Sequence, residues 1–468
     1  IPDRLLEGYG PSGEALVALG QRGSSLVVTV DCGAMAHDAL SQAHDAGIDV
    51  IVVDHHKCSA ELPRVVAMVN PNRLDESDDG AAHGHLAAVG VAFLLAIATV
   101  RTLRHKGFFS SRPEPDLMGL LDLVALGTVA DVAALKGLNR AFVSQGLKIM
   151  GRRGNIGMAA LIDASRLSRA PIASDLGFAL GPRINAGGRV GEATLGVRLL
   201  TTRDPEEARA IAAKLDVLNE ERRAIEAAVQ EAAEEQLAAQ GNRSVLVLSG
   251  EGWHPGVIGI VAGRIKEKTG KPAVVIAMNG PMGKGSGRSI SGVDLGAAIL
   301  AARDKGLLVA GGGHAMAAGL TVTAENLDAL HAFLDETLSA AISRSAEGRE
   351  MLLDLAIAPG GMTTELVDHL EGAGPFGVGW PGPKVAVGPV RLLKADVVGS
   401  DHVRIIANGE DGRSFKAIAF RSAETEMGQQ LLHAAQGRRV WLAGRAKLDD
   451  WGNVPRVELL LEDAAWAD

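Results

Sequence analysis

The chain has 468 residues, of which 47% are apolar and 22% are charged, and its formal net charge is −9. A chain of this length exceeds one hydrophobic core, so we expect about three domains, and its 58 glycines and few aromatic residues favour an α/β framework. The chain has only two cysteines, which argues against a disulfide scaffold. The sequence shows no long, uninterrupted apolar window, which argues against a membrane span. The excess of acidic residues argues against a protein that coats duplex DNA. We therefore expect a cytoplasmic protein whose nucleic-acid site, if it has one, is a local groove.

The first part of the chain predicts a βαβ unit. A turn-rich segment that carries Arg4 is followed by a helix over Glu14–Arg22, a strand over Ser25–Asp31, a helix over Ala34–Ala46 and a strand over Val50–Val53. Crossover connections place parallel strands close together, about 4.8 Å apart when they are neighbours. The acids that end the two strands, Asp31 and Asp54, should therefore lie near each other.

His55 and His56 directly follow Asp54. Aspartate and histidine are common ligands of divalent metals, and sites in α/β sheets collect at the carboxyl ends of strands. For Asp54-His55-His56 alone, a capped strand end with a hydrogen-bonded histidine pair is an equally good interpretation. The second acid, Asp31, favours a metal site.

A third acid follows the same pattern. The stretch Leu86–Thr102 predicts a buried helix, and the apolar stretch Leu117–Asp131 then ends on Asp131. One such acid could be a helix cap, but three acids at the ends of apolar segments strengthen the prediction of a metal site.

The stretch Gly181–Arg189 predicts a glycine-rich loop with Arg183, Asn185 and Arg189 on it. Arginine side chains and exposed backbone amides suit phosphate contacts. A plain turn with arginines in solvent explains the composition equally well.

A long helix over Asp204–Gln240, close to 50 Å in length, most simply bridges two domains. A second α/β region follows. In it, Gly283–Ser289 predicts an anion-binding segment with Ser286 and Arg288 as donors, although its spacing does not fit a Walker A loop. In Gly311–Gly319 the glycines let the backbone approach a ligand next to His314.

From about Leu352 the chain shows short β-like runs, with a hairpin predicted from His402–Ala407 to Ser414–Phe420. A small OB-like barrel fits this pattern, and its tryptophans could stack on single-stranded bases. Most of these aromatic residues are better explained as core.

Ordered motifs along the whole chain carry a resemblance to a known family. They are Val-Asp31-Cys-Gly, Asp54-His55-His56, Gly-Thr-Val-Ala-Asp131, Gly-Pro-Arg183-Ile-Asn185-Ala, Gly-Gly-Gly-His314 and Gly374-Pro-Phe-Gly-Val-Gly-Trp-Pro. In this order they resemble the RecJ-type single-strand-specific exonucleases of the DHH phosphoesterase superfamily. Each motif alone is weak, but the ordered set is highly specific.

The resemblance implies an α/β multidomain fold with four parts. These are a parallel-sheet DHH domain over 1–200, a long connecting helix over 204–240, a smaller α/β DHH-associated domain over 243–345 and a C-terminal OB-like β-barrel over 350–468. DNA would thread the cleft between the first two domains.

The resemblance also implies a role for each candidate residue. Asp31 would bridge two Mn²⁺ or Mg²⁺ ions, with His55 and Asp131 completing one site. His56 would face the scissile phosphate, and Asp54 would orient its neighbours. The residues that would contact DNA divide into those for the 5′ phosphate (Arg4, Ser286 and Arg288) and those along the nucleotide path (Arg183, Asn185, Arg189 and His314).

The implied function is metal-dependent 5′-to-3′ hydrolysis of single-stranded DNA to 5′-mononucleotides, in DNA repair and recombination. The resemblance further implies a monomer that works with single-strand-binding protein and a RecQ-type helicase, without a membrane. The family has an Asp-x-Asp motif on a strand upstream of the region matching Ile1–Gly13, and it supplies ligands to both metals. We therefore expect an N-terminally truncated enzyme with one incomplete metal site and weak or no cleavage.

Two other functions are compatible with part of these motifs. A catalytically silent DHH scaffold could bind single strands or replication partners, but the retained Asp31, His55, His56 and Asp131 argue against it. A DHH phosphodiesterase could act on short oligonucleotides or cyclic dinucleotides, but such substrates do not need a β-rich third domain.

Overall fold

The computed structural model describes residues 1, 10–346, 350–434, 438–449 and 456–467. These residues form two compact units. The first comprises 1–130, 146–171 and 175–349, and the second comprises 131–145, 172–174 and 350–468.

The helices and strands are numbered in chain order. The strands are β1 (Leu26–Val30), β2 (Asp49–Val53), β3 (Ala67–Val69), β4 (Leu246–Glu251), β5 (Ala273–Asn279), β6 (Met282–Arg288), β7 (Ala310–His314), β8 (Ala317–Thr323), β9 (Leu355–Ile357), β10 (Val385–Val398), β11 (His402–Asn408), β12 (Ser414–Ala419), β13 (Arg439–Asp449) and β14 (Arg456–Trp466). The α-helices are α1 (Gly13–Gln21), α2 (His37–Asp45), α3 (Asp78–Ala81), α4 (Ala88–His105), α5 (Leu121–Ala130), α6 (Gly137–Gly151), α7 (Ile156–Ala164), α8 (Ala173–Asp175), α9 (Gly181–Val190), α10 (Leu195–Thr201), α11 (Pro205–Glu235), α12 (Ile258–Thr269), α13 (Leu295–Asp304), α14 (Leu327–Ala346), α15 (Thr364–Gly372) and α16 (Glu426–Leu432).

The first sheet is parallel, with the strand order β1-β2-β3. Leu16 of α1 and Leu40 of α2 pack with Val50 and Val52 of β2 in a hydrophobic core. By contrast, β1 leaves Leu26, Val28 and Val30 about half exposed. This sheet carries the strand ends at which the sequence predicts a metal site.

Helix α11 has 31 residues and begins where the sequence predicts, with the Asp204 side chain accepting a hydrogen bond from the Glu206 backbone amide at 2.9 Å. It ends at Glu235, and the 3₁₀ turn Leu237–Gln240 follows. In its first half Leu215 and Leu218 approach Gly187 and Gly191, and in its second half Val229 packs with α12 and β4. The helix therefore packs against α9 in its first half and against α12 and the second sheet in its second half.

The second sheet has the strand order β4-β5-β6-β8-β7, with β4 and β5 parallel and the other pairs antiparallel. One face packs against Leu295 and Ile299 of α13 and Leu330 and Leu334 of α14. The other face packs against α12 through β4 and β5. Towards β6, β8 and β7 this second face opens into a cavity.

No apolar window long enough for a membrane span is expected from the sequence, but among the described residues helix α4 is long and apolar enough to cross a membrane by length and composition alone. Core helices of soluble proteins pass the same test, and α4 contacts β1, β2 and α5. A single such helix is weak evidence for a membrane span.

In the second unit, five strands close a barrel in the order β10-β11-β12-β14-β13, with β13 pairing back to β10. Val385, Ile405, Ala417 and Leu442 belong to its core, and the fold of the β-rich end matches the prediction. The α/β multidomain class with a C-terminal barrel is confirmed, whereas the four domain boundaries stay a prediction.

Candidate metal centre and phosphate-binding cavity

Asp31 and Asp54 directly follow the adjacent ends of strands β1 and β2 in the first sheet. The parallel register pairs Val30 with Val53, and the Asp31 backbone amide donates to the Val53 carbonyl at 2.9 Å. Asp31 has a φ of +62°, in the left-handed region that non-glycine residues rarely adopt. Such backbone strain is concentrated at functional sites, and here it accompanies an Asp31 carboxylate that is 53% exposed.

Asp54 is almost fully buried and forms the base of the site. Its carboxylate accepts hydrogen bonds from the backbone amides of Ala34 (2.9 Å), His55 (2.8 Å) and His56 (3.2 Å), and Oδ1 lies 2.7 Å from His56 Nδ1. Burial acts to raise the pKa of Asp54, but these hydrogen bonds outweigh it and hold the pKa below its ordinary value. Asp54 is therefore ionised, and it orients the two histidines.

The two histidine rings are held by different acceptors. His55 Nδ1 lies 2.9 Å from the Leu86 carbonyl oxygen, which can only accept, so Nδ1 carries the proton and Nε2 keeps the lone pair with which a neutral imidazole binds a metal. His55 Nε2 lies 3.3 Å from an Asp31 carboxylate oxygen. The bond from Asp54 raises the pKa of His56 above its usual value, although burial opposes this.

Asp31, His55 and His56 each offer a ligand atom, and these atoms lie within 4.8 Å of one another. A carboxylate oxygen and imidazole nitrogens suit Mn²⁺ and similar divalent ions. His55 is oriented by a backbone carbonyl and His56 by a carboxylate, as metal-binding histidines usually are. The donor set therefore fits a divalent metal, and the structure brings together three of the predicted site residues with Asp54 beneath them.

Asp131 directly follows the last residue of α5, and it belongs to the second unit. Most of the apolar stretch before it forms helix α5. A negative charge at a helix C-terminus is disfavoured by the helix dipole, so Asp131 is not a favourable charge for the end of α5. Its role as a metal ligand stays a prediction.

The prediction of a glycine-rich loop at Gly181–Arg189 is wrong, because these residues belong to helix α9, with Pro182 in its first turn. Most of its amides are therefore used within the helix. Arg183 Nε donates to Asp216 of α11 at 2.8 Å, so this guanidinium is already paired. Asn185 is exposed, and the part of these residues in DNA binding stays a prediction.

The predicted anion-binding segment is strand β6, whose residues alternate between two faces. A Cβ at Gly285 or Gly287 would clash with core side chains, whereas Lys284, Ser286 and Arg288 line a cavity of about 750 Å³. Arg288 Nη1 donates to Ser286 Oγ at 3.1 Å. Lys284 was not predicted as a site residue from the sequence, although its spacing of two from Ser286 indicates that the two side chains share one face of the strand.

Other elements complete the walls of this cavity. The first turn of α12 lines it through Ile258 and Gly259, and Arg189 of α9 lines it while donating to the Gly256 carbonyl at 3.0 Å. Ser286, Arg288 and Arg189 are thus brought into one cavity. Arg4 lies outside the described residues.

His314 links this cavity to the metal centre. It ends β7, whose Gly311 and Gly312 line the cavity of Ser286. Its ring stacks on that of His56 with centroids 6.4 Å apart and an interplanar angle of 13°. Both rings also line a second cavity of about 620 Å³, which includes Lys57, another residue that the sequence analysis missed.

The tryptophans of the second unit are placed in different ways. Trp466 packs against the barrel core, as expected for most aromatic residues there. Trp380 is partly exposed, and its ring lies 4.6 Å from the Arg140 guanidinium. Trp451 lies outside the described residues.

Three family models match the chain. They are the DHH family N-terminal domain over residues 1–128, the DHHA1 domain over 242–340 and the RecJ OB domain over 353–463. Together they account for most of the chain.

Similar proteins carry the description single-stranded-DNA-specific exonuclease RecJ. The protein from Dickeya dadantii is 38% identical over 99% of this chain and 81% of its own length. The Escherichia coli protein is 39% identical, over 88% and 73%, and the Bacillus subtilis protein is 34% identical, over 99% and 57%.

Solved structures agree with these similarities. RecJ from Thermus thermophilus in complex with Mn²⁺ has a TM-score of 0.78 and 30% identity, covering 97% of this chain and 63% of that chain. Its complex with Mg²⁺ has a TM-score of 0.73 and 28% identity, covering 98% and 66%.

Proposed function

This chain belongs to the RecJ family of single-stranded-DNA-specific exonucleases, and on this premise we propose that it hydrolyses single-stranded DNA from the 5′ end and releases 5′-mononucleotides with the help of divalent metal ions. The observation that carries the proposal is the cluster of Asp31, His55 and His56 at adjacent strand ends. DNA repair and recombination would be its setting. It would act as a cytoplasmic monomer, together with single-strand-binding protein and a RecQ-type helicase.

Each residue of the cluster has a task in this proposal. Asp31 and His55 would hold Mn²⁺ or Mg²⁺, with Asp131 as a further ligand. A bound ion of this kind supplies a nucleophilic hydroxide and neutralises charge on the leaving oxygen. Asp54 fixes the His56 ring and the backbone of His55 and His56, and the His56 ring would face the scissile phosphate.

The cavity of Ser286 and Arg288 would bind the 5′ phosphate and so set the direction of cleavage. Arg288 carries a fixed charge, and the Ser286 hydroxyl lies beside it. His314, Arg189, Asn185 and Arg183 would line the path of the nucleotides, and Arg4 would contribute to the phosphate pocket.

A metal-binding measurement tests the centre without depending on turnover. We expect Asp31→Asn to lower Mn²⁺ affinity at least about tenfold, measured by electron paramagnetic resonance, and to lower nucleotide release from 5′-phosphorylated single strands in parallel. Asp45→Asn is the control, because Asp45 is an exposed acid at the end of α2 that forms an ion pair with Arg64. Unchanged Mn²⁺ affinity in Asp31→Asn would contradict the assignment, as would cleavage unaffected by Asp131→Ala.

The direction of cleavage has its own test. Strands labelled at the 3′ end should shorten from the unlabelled 5′ end, and a 5′ hydroxyl should slow the reaction. Early release of the 3′ label would contradict the proposal.

A further inference from the structure

The sheet face that lines the 750 Å³ cavity is ordered in rows by strand register. Strand β6 pairs with β8, and β8 pairs with β7. The three rows, each read from β6 through β8 to β7, are Arg288, Ala317 and His314; Ser286, Gly319 and Gly312; and Lys284, Thr321 and Ala310. Successive rows lie about 6.7 Å apart, because residues on one face alternate along a strand.

The rows have a direction relative to the metal centre. His314 belongs to the first row, and its ring stacks on that of His56. Lys284 belongs to the third row, at the far end from His314. A strand that runs from the metal centre and ends with its phosphate at Ser286 and Arg288 therefore points onward to Lys284.

Space is available along these rows. A Cβ placed on Gly319 or Gly312 would meet nothing within 4 Å, so the middle of the floor is flat and open. The cavity, about 750 Å³, is larger than one phosphate group needs and lies in the range of sites for larger ligands.

The charged residues that line the cavity are all basic among the described residues. Arg189, Lys284 and Arg288 are among the described residues that line it, and no acidic residue is among them. Lys284 is exposed, and within the described part of the chain it makes no hydrogen bond or ion pair. An ammonium group on a flexible stem is thus available on the residue that pairs with Thr321, one row beyond Ser286.

We propose that Lys284 and Thr321 form a second anion subsite, which binds the next phosphate of a polyphosphorylated 5′ end, as in a 5′-diphosphate or 5′-triphosphate strand. The proposal rests on the proposed function, since it takes Ser286 and Arg288 as the site of the terminal nucleotide's own phosphate. It gives the cavity a ligand class beyond the 5′-monophosphate strand.

The test compares three forms of one short 3′-labelled oligothymidylate, with a 5′ hydroxyl, a 5′ monophosphate or a 5′ diphosphate. Binding is measured by fluorescence anisotropy in EDTA and at low salt, where charge contacts are least screened and no cleavage occurs. We expect the diphosphate strand to bind about fivefold more tightly than the monophosphate strand. Lys284→Ala should abolish this gain and change binding of the monophosphate strand far less.

Control variants separate this proposal from the proposed function. Arg288→Ala should weaken binding of the monophosphate and diphosphate strands alike. Lys305→Ala should change neither, because Lys305 is an exposed lysine that directly follows α13, on the other face of the sheet, and packs on Phe333 of α14. If the monophosphate strand binds no better than the hydroxyl strand, the 5′-phosphate pocket itself is wrong, and the subsite with it. If only the diphosphate gain is missing, or if it survives Lys284→Ala, the second subsite alone is wrong.

Free pyrophosphate could supply the same chemistry. As a competitor it should displace the diphosphate strand better than inorganic phosphate does, and less well from Lys284→Ala. Displacement by pyrophosphate without any gain for the diphosphate strand would overturn the assignment to strand ends and leave a site for the free anion.

Discussion

The carboxylate of Asp54 accepts hydrogen bonds from three backbone amides and lies 2.7 Å from the His56 ring. We expect Asp54→Asn to lower the free energy of unfolding by about 2 kcal/mol, because the new amide group points a donor at donors in a buried site. Mn²⁺ affinity should fall about 10- to 100-fold, as for other residues that orient metal-binding histidines. Denaturant unfolding and Mn²⁺ titration measure the two effects.

Asp45→Asn, the surface control on α2, should change neither quantity. Mn²⁺ affinity that stays at the wild-type value in Asp54→Asn would show that Asp54 stabilises the strand end without orienting the metal ligands.

Asp122 offers a test of stability against pH. It is buried within α5, and burial raises its pKa even though the Leu123 backbone amide donates to it at 2.7 Å. Because the folded state holds this proton more tightly than the unfolded chain, its stabilising effect is complete below the ordinary pKa of 3.8 and is lost as pH rises through the raised value. We expect Asp122→Asn to be more stable than the wild type by about 1 kcal/mol near pH 8, with the difference shrinking towards pH 4.

Thermal unfolding at both pH values measures this difference. Asp368→Asn is the matched control, because Asp368 is an exposed aspartate on a helix. A difference that grows as pH falls would contradict the sign of the argument.

At the scale of elements, the first turn of α12 shapes the cavity of Ser286 and Arg288. A Cβ on Gly259 would lie 2.9 Å from both Arg288 Nη2 and Ser286 Oγ, so both groups would have to move. We expect Gly259→Ala to reduce the preference for 5′-phosphorylated over 5′-hydroxyl strands about fivefold, measured by anisotropy. The fold should tolerate the change, because alanine stabilises a helix relative to glycine.

Gly263 provides a control on the same helix, because a Cβ there would meet nothing within 4 Å. Gly263→Ala should raise the free energy of unfolding by about 0.5–1 kcal/mol and leave the phosphate preference unchanged. If Gly259→Ala and Gly263→Ala show the same preference for 5′-phosphorylated strands, the first turn of α12 does not contribute to phosphate binding.

Elements also show where sequence patterns succeed and fail. The apolar run before Asp54 and the capped start of α11 are local signals, and both predicted the right structure. Glycine-rich stretches were harder to interpret, because glycine lowers the intrinsic preference for any regular structure. Gly181–Val190 became a helix against α11, and Met282–Arg288 became a strand between β5 and β8, through contacts with distant residues.

At the scale of the whole molecule, the sequence predicted which residues lie together at the candidate metal centre only where the order of elements along the chain determines which strands are neighbours. Neighbouring strands of one βαβ unit bring Asp31 and Asp54 together, and that followed from topology. The row of Lys284 depends on a register between β6 and β8 that no local pattern specifies. The placement of Asp131 in the second unit likewise depends on residues more than two hundred positions away.

The segment that follows Asp131 is fixed by the loop before the barrel, within the second unit. The Leu135 backbone amide donates to the Val378 carbonyl at 2.7 Å, and the Arg140 guanidinium donates to the Gly374 carbonyl at 3.2 Å. Arg140 also stacks on Trp380. The motif that begins at Gly374 and contributes to the family resemblance therefore contacts the segment that follows Asp131, a predicted metal ligand.

Trp380→Ala tests whether this support reaches the metal site. The variant loses a cation–π contact and the hydrogen bond from the indole Nε1 to the Ala373 carbonyl, 3.1 Å in length, so the Asp131 segment should become less ordered. We expect Mn²⁺ affinity to fall about three- to tenfold, with the change abolished in an Asp131→Ala background. Phe420→Ala, which removes an exposed aromatic ring elsewhere in the same unit, should leave the affinity unchanged. A fall of equal size in the Asp131→Ala background would mean that Trp380 acts on general stability, because a loss transmitted through Asp131 requires its carboxylate.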